Sequence, residues 1–377
     1  METYSKQDAG AYGQIGIISL ESSKELGEKI NSYLIKERNE NNFDGPSQES
    51  YMIPVKEIRF SNGEGKIVLE DTARGKDIYI ISDIGNYSCT YEMFGFENHK
   101  SPDDHFQDIK RVLSALGGKA RRITVIMPLL YSSRQHRRKG RESLDCAIAL
   151  QELERLGVQD IITFDVHDPN VQNSIPLISF DNLYPTYAIV KALINEEKEL
   201  INDKNKFLVI SPDTGAMDRA IYYSSVLGLD IGLFYKRRDY STVISGKNPI
   251  VQHEYMGRSI EGQNVIIVDD MIASGESIFD IVREVKKRGA NKIFVATTFA
   301  LFTEGINKFN ELYESGLIEK VYSTNLTYIP DDIKKSEWLR EVDLSSFIAN
   351  IIYYLNNGMS IQHLLDATEK ISKLVNR

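Results

Sequence analysis

The densest chemistry in the chain is a run of nine residues, Asp269-Asp270-Met271-Ile272-Ala273-Ser274-Gly275-Glu276-Ser277. A short turn of small residues that opens a helix gathers backbone N–H groups at the positive end of the helix dipole, which is a setting for phosphate. Two carboxylates beside it suit ribose hydroxyls, or a divalent cation sharing the phosphate's charge. The same residues would also serve a buried strand followed by a capped helix. Arg134, Arg137, Arg138, Lys139 and Arg141 crowd one loop, and Lys236, Arg237 and Arg238 form a second basic cluster. Like charges repel, so folding alone explains such clusters poorly and a phosphorylated small ligand explains them well; solvated surface charge is the alternative. Asp165-Val166-His167 offers a carboxylate and an imidazole. Two apart on an extended segment, they would point the same way and share a Mg²⁺ or a phosphate-bound water, or simply bond to each other. Phe60-Ser61-Asn62-Gly63-Glu64 presents an aromatic face, an amide and a carboxylate that could hold a purine, although a hairpin end reads equally well there.

The elements that must position these groups alternate. Val265 to Val268 is a β-branched run typical of a strand buried on both faces in a parallel sheet, and it should deliver Asp269 and Asp270 to its carboxyl edge. The helix after Ser277 carries Ile278, Ile281, Val282 and Val285 at helical spacing until Gly289. Strands are expected near 15–20, 55–60, 77–82, 123–130 and 160–164, with helices at 22–37, 104–116 and 144–156. The pattern restarts with strands at 207–210, 231–235, 265–268 and 292–298, separated by helices. Residues 241–255 read as a mobile polar stretch, and 344–377 as two short helices around Asn356-Asn357-Gly358. The fold class is therefore α/β, with strand-helix alternation in both halves.

With 377 residues and 42% hydrophobic content, the chain has room for two domains at about 150 residues each. No apolar run approaches the roughly 20 residues of a membrane span, and the start lacks a signal-peptide pattern, so a cytoplasmic, membrane-free protein is expected. Cys89 and Cys146 provide neither a disulfide framework nor zinc spacing. A net charge of −9 argues against nonspecific nucleic-acid binding.

The run 269–277 resembles the loop of the phosphoribosyl diphosphate-binding superfamily. Taken in order, the remaining segments resemble the ribose-phosphate pyrophosphokinase family over most of the chain. Phe60-Ser61-Asn62-Gly63-Glu64 looks like that family's adenine-side loop, contributed there across a subunit interface. Ser132-Ser133-Arg134-Gln135 looks like its ATP loop, and Asp165-Val166-His167 like its magnesium motif. Asp181-Asn182-Leu183-Tyr184 matches the segment that begins its second domain, and Ser211-Pro212-Asp213-Thr214-Gly215 is similar to its ribose-phosphate-side loop.

The resemblance implies two tandem phosphoribosyltransferase-like domains, each a mainly parallel sheet flanked by helices. Residues 1–13, polar and without periodicity, read as a flexible tail; the resemblance implies an ATP-side domain at 14–183 with helices 345–377 packing back on it, and a ribose-5-phosphate domain at 184–344. It further implies ATP contacts at Phe60, Asn62, Glu64, Arg134 and Gln135, Mg²⁺ at Asp165 and His167, and ribose 5-phosphate contacts at Asp213, Asp269, Asp270, Ser274, Gly275, Glu276 and Ser277. Lys236 and Arg238 fall where the family supplies its catalytic Lys and Arg. The implied partners are ATP, ribose 5-phosphate and further copies of the chain, as dimers or a hexamer. Ala273 removes a usual acid, Glu276 replaces a usual Gly, and His136 and Phe299-Ala300 depart from the family pattern. The resemblance implies transfer of the diphosphoryl group of ATP to ribose 5-phosphate, which retention of Lys236, Arg238, Arg134 and His167 favours, whereas Ala273 and Glu276 favour a noncatalytic nucleotide- or phosphoribosyl pyrophosphate-binding regulator. A phosphoribosyltransferase would need only the 269–277 loop.

Overall fold

A computed structural model of the chain describes residues 12–40, 49–138, 140–238 and 250–375; the side chains of 38–40, 201, 236–238 and 250–253 lie outside the description. Residues 1–11 of the expected tail, residues 41–48 and residues 241–249 of the polar stretch also lie outside the described residues. The chain divides into two compact units. One comprises the chain to Tyr184 together with Asn325–Tyr328 and Asp343–Leu365, and the other Pro185–Thr324, Ile329–Val342 and the chain from Asp366 onward.

The first unit runs β1 (Ile15–Ser19), α1 (Lys24–Glu40), β2 (Val55–Arg59), β3 (Gly65–Leu69), β4 (Asp77–Ile81), β5 (Thr90–Met93), β6 (Phe96–His99), α2 (Pro102–Leu116), β7 (Arg122–Ile126), α3 (Asp145–Arg155), β8 (Asp160–Phe164) and β9 (Ser179–Leu183). Its five-stranded sheet has the order β1-β4-β7-β8-β9, every pair parallel. β1 and β4 are buried along their whole length, as strands covered on both faces must be. β2–β3 and β5–β6 are separate antiparallel hairpins. α2 starts at a capping box: Ser101 Oγ accepts the Asp104 N–H at 3.2 Å and the Ser101 N–H donates to Asp104 Oδ2 at 3.0 Å. Asp181 to Leu183 form the end of β9, the edge strand of the first sheet, and a helix follows from Thr186.

The second unit holds α4 (Thr186–Glu196), α5 (Glu199–Asn202), β10 (Phe207–Ser211), α6 (Met217–Leu227), β11 (Asp230–Arg238), β12 (Ile250–Met256), β13 (Asn264–Ile272), α7 (Glu276–Lys287), β14 (Ile293–Ala300), α8 (Asn307–Glu314), β15 (Lys320–Thr324), α9 (Asp331–Lys334) and β16 (Leu339–Val342). Its seven strands take the order β12-β11-β10-β13-β14-β15-β16. Only β12 is antiparallel to its neighbour. Residues 250–255, expected in a mobile stretch, are therefore strand. Behind α7, Phe279, Phe302, Phe309 and Trp338 form an aromatic cluster, with the Phe309 and Trp338 rings stacked at 5.3 Å.

The C-terminal helices divide. α10 (Ser345–Asn356) and α11 (Gln362–Leu365) belong to the first unit, whereas α12 (Thr368–Val375) packs with the second, burying Ile371 and Val375 among residues of α4 and α6. This corrects the expectation that 345–377 pack back together. α10 is fixed to the sheet at the N-terminal end of β4: Asn356 Nδ2 donates to Asp77 Oδ2 at 2.9 Å, and that carboxylate also accepts Arg122 Nη2 at 2.6 Å and the Tyr79 hydroxyl at 2.8 Å.

At the opposite end of β4, Asp83 is buried and accepts N–H bonds from Gly85 at 2.9 Å and Tyr328 at 2.8 Å and the Thr327 hydroxyl at 3.2 Å. Burial outweighs these bonds and pushes its carboxyl up to about 7. The folded state then favours the protonated acid, so Asp83 supports stability fully below its unfolded pKa of about 3.9 and loses that support as pH rises toward 7. Asp83→Asn keeps an acceptor and removes the titration. The melting temperature of the variant relative to wild type should therefore rise between about pH 5 and about pH 8. A difference that stays constant across that window would contradict the burial argument.

Candidate functional site

In the second unit, the chemistry collects at the carboxyl end of β10 and β13. Val265 to Val268 are fully buried as expected, but the strand does not stop there. β14 pairs onward through Asp269↔Thr297, Met271↔Phe299 and Ile272↔Ala300, so both acids sit inside the ladder and face opposite sides of the sheet. Asp270 is buried and Asp269 half-buried. Burial and then the adjacent Asp270 charge raise the Asp269 pKa; Arg219 opposes this and Asp213 adds to it. Asp213, Arg219, Asp269 and Asp270 thus share one electrostatic neighbourhood. Arg219 was not singled out from sequence; its one signal is its place in the first turns of the helix that follows Asp213.

Asp213 also builds its own loop, Oδ1 accepting the N–H groups of Gly215 at 2.9 Å and Ala216 at 3.2 Å. Gly275 is buried at φ 85 as the N-cap of α7, and the Phe279 N–H donates to its carbonyl at 2.9 Å. The N–H groups before Phe279 lie ahead of that first bond, as at any helix start, and suit an anion. The turn is held from below, where the Thr303 N–H donates to the Ala273 carbonyl at 2.9 Å. Ser274 is half-buried, while Glu276 and Ser277 are exposed.

In the first unit, the loops after β7 and β8 come together. Tyr131 roots the first, stacking on Phe106 at 4.4 Å and donating its hydroxyl to Asp103 at 2.6 Å. Ser132 adopts φ 53, and the Gln135 N–H returns to the Ser132 carbonyl at 2.8 Å, leaving Arg134 and Gln135 exposed. His136 Nε2 stands 3.4 Å from Asp168 Oδ2, and its ring lies 5.4 Å from that of His167. Bonds from Asn170 and the nearby His136 and Arg137 charges hold the Asp168 carboxyl low. Arg134, Arg138 and Arg141 are exposed, and among the described residues none has a carboxylate within ion-pair distance.

The segment from Asp165 to His167, expected to be extended, turns at its first residue. Asp165 takes φ 44, so the segment is not extended; its carboxylate is buried while His167 is exposed. The Asp165 N–H is captured by the Leu183 carbonyl at 2.8 Å and the Val166 N–H by Asn182 Oδ1 at 3.0 Å, which turns the chain off the strand. Among the described residues no group of three or more His, Cys, Asp or Glu side chains could hold a metal ion.

Phe60 to Glu64 form the tip of the β2–β3 hairpin, with Gly63 at φ 91. Asn62 Nδ2 donates to Glu64 Oε2 at 3.0 Å and the Glu64 N–H donates to Asn62 Oδ1 at 3.1 Å, so amide and carboxylate are held edge to edge beside the half-exposed Phe60 ring. Beneath them Arg59 pairs with Asp104 at 3.2 Å and Asp108 at 3.1 Å. Among the described residues no hydrogen bond or ion pair joins this tip to the Arg134 loop. Lys236 and Arg238 lie on the β11 ladder opposite His253 and Ile250, with a register shift between Arg237 and Arg238. Their side chains are outside the described residues.

Residues 15–157 match the family described as the N-terminal domain of ribose phosphate pyrophosphokinase, and residues 179–308 match the phosphoribosyl transferase domain. The chain is 26% identical over 309 residues to the ribose-phosphate pyrophosphokinase of Ralstonia nicotianae, covering 81% of this chain and 88% of that protein. It is 25% identical over 365 residues to the Chlorobaculum tepidum protein of the same name, covering 96% and 98% respectively. The crystal structure of phosphoribosylpyrophosphate synthetase from Mycobacterium smegmatis shares the fold, with a TM-score of 0.72 and 18% identity over 92% of this chain and 99% of that one.

Proposed function

Because the chain belongs to the ribose-phosphate pyrophosphokinase family, we propose that it transfers the β,γ-diphosphoryl group of ATP to the anomeric hydroxyl of ribose 5-phosphate. The hydroxyl oxygen bonds to the β-phosphorus as the bond from that phosphorus to the α,β-bridging oxygen breaks. AMP leaves, the hydroxyl proton is released, and phosphoribosyl pyrophosphate is formed. Such displacements need alignment and neutralised charge more than covalent help from the protein.

The observation that carries this reading is the presence of both substrate chemistries in one chain: a phosphate turn in the second unit, and exposed arginines with an amide-carboxylate-aromatic tip in the first. A phosphoribosyltransferase would need only the former. ATP is assigned to Phe60, Asn62, Glu64, Arg134 and Gln135. Adenine presents an N–H donor beside a ring-nitrogen acceptor on one edge, and the Glu64 carboxylate and Asn62 amide offer the complementary acceptor and donor. Ribose 5-phosphate is assigned to Asp213, the 269–270 acids and the 274–277 turn, the acids accepting from sugar hydroxyls and the turn donating to phosphate. Lys236 and Arg238 are assigned to the charge that grows on the transferred group.

Magnesium belongs to the same proposal. It retains waters and binds through one or two carboxylates plus substrate phosphates, so a site with few protein donors fits an ion delivered with the triphosphate better than a protein cage. Asp165 and His167 would hold it, and when bound it supplies neutralisation of phosphate charge. Assembly into homo-oligomers and a cytoplasmic location complete the proposal; among the described residues no helix is long and apolar enough to cross a membrane.

The test is to incubate the purified protein with ATP, Mg²⁺ and ribose 5-phosphate. AMP and phosphoribosyl pyrophosphate should appear in equal amounts. Nucleotide binding without AMP would identify a regulatory relative, the role that Ala273 and Glu276 favour. Pyrophosphate release from phosphoribosyl pyrophosphate and a base, indifferent to ATP, would identify a phosphoribosyltransferase.

A further inference from the structure

The β5–β6 hairpin joins its strands through a two-residue turn, Phe94-Gly95, with φ 52 and φ 78. A turn with both central residues left-handed is a type I′ turn, whose first position favours Asn, Asp or Gly because a bulky side chain is strained there. A phenylalanine at that position normally needs burial to justify it, yet Phe94 is 74% exposed, and Phe96 beside it 72%. They are the two most exposed rings among the described residues. Strain without burial points to a use outside the fold.

The hairpin's position suggests the use. The Phe94 N–H donates to the Ser61 carbonyl at 3.1 Å, joining its tip to the tip that carries Phe60. Met93 closes on Gly63 so tightly that a Cβ there would stand 2.6 Å from its sulfur, and the Arg59 guanidinium lies 4.9 Å over the Tyr91 ring. Tyr91 and Met93 alternate onto the face that meets the 59–63 turn, and Phe96, paired with Met93, shares that face. Exposed rings from two hairpins therefore border the Asn62–Glu64 pair.

We propose that the β5–β6 hairpin is a second aromatic arm of the nucleobase site, with Phe94 supplying a stacking face for the purine whose edge is read by Asn62 and Glu64. This rests on the adenine-side reading of the 60–64 turn. Stacking depends on a π-face and is indifferent to phosphate, so Phe94 contributes to recognition of the base and not to the group transferred.

Phe94→Asn is the discriminating variant because asparagine accepts the left-handed conformation more readily than phenylalanine and removes the ring. Its melting temperature should equal or exceed that of wild type. Its KM for ATP should rise about tenfold, in line with loss of one base-aromatic stack. KM for ribose 5-phosphate and inhibition by inorganic triphosphate, which has no base, should stay put, and Phe94→Trp should restore the ATP value. An unchanged KM for ATP in Phe94→Asn alongside a raised one in Phe60→Ala would overturn the inference while leaving the 60–64 assignment intact. No change in either variant would remove that assignment and this inference with it. A loss of subunit assembly, or of affinity for ribose 5-phosphate and ATP alike, would make the hairpin an assembly element instead.

Discussion

Lys236→Ala is expected to lower kcat about 100- to 1,000-fold, with only a few-fold weaker ATP binding. ATP in the ground state already carries its charge, which on the proposed assignment Arg134 and any accompanying magnesium would meet. As the bond to AMP breaks, further negative charge develops on the bridging oxygen and the migrating group. A contact that strengthens at that moment raises kcat, whereas one felt equally before and during the step changes only KM. Lys236 sits opposite His253 on a ladder of two antiparallel strands, one residue before a register shift separates Arg237 from Arg238. The backbone there is fixed by strand pairing, so the melting temperature should hold. Nucleotide affinity measured by calorimetry, beside single-turnover formation of AMP, checks the split. Equal losses of affinity and rate would make Lys236 a binding residue only.

Gly275→Ala is expected to reduce affinity for ribose 5-phosphate by at least tenfold and to destabilise the protein by about 1–3 kcal/mol. The residue combines φ 85 with no lateral room: an added Cβ would lie 2.7 Å from Phe279 Cζ and 2.9 Å from Phe309 Cε2. Those rings cannot retreat, because Phe309 is stacked on Trp338 and edged by Phe302. Relief must come from moving the start of α7, the element whose N–H groups are assigned to the 5-phosphate. Ser277→Ala, at an exposed position in the same turn, should weaken sugar-phosphate binding less. Direct titration with ribose 5-phosphate, paired with thermal denaturation, separates the two effects. A destabilised Gly275→Ala protein that bound the sugar phosphate normally would detach the turn from the ligand.

The parts of the molecule that announced themselves in the sequence are those where side-chain type and spacing fix the backbone. Val265 to Val268 could only be a doubly covered strand, and Ile278, Ile281, Val282 and Val285 fix the buried stripe of α7. The strand's end was less legible, since Asp269 and Asp270 look like terminators but are carried inside the ladder by the apolar Met271 and Ile272 beyond them. The turn at Asp165 was illegible for a different reason. Its left-handed backbone is imposed by Leu183 and Asn182, about twenty residues away in sequence, and no local pattern encodes that. The β5–β6 hairpin escaped notice because its turn carries Phe94 where the usual signal would be asparagine. Arg219 was overlooked because a single arginine early in a helix has no motif around it; its effect on Asp269 exists only once β10 and β13 lie side by side.

The division of the C-terminal helices bears on the order of synthesis. The first unit is not finished when Tyr184 leaves the ribosome, because Asp77 at the foot of β4 still awaits Asn356 and Asp83 at its head still awaits Thr327 and Tyr328. Its sheet must pass through translation of the second unit up to Val342 with the α10 side uncovered, so the nascent first half is the protein's most aggregation-prone form. Expression of residues 1–184 alone should therefore yield insoluble material that co-expression of the remaining chain rescues.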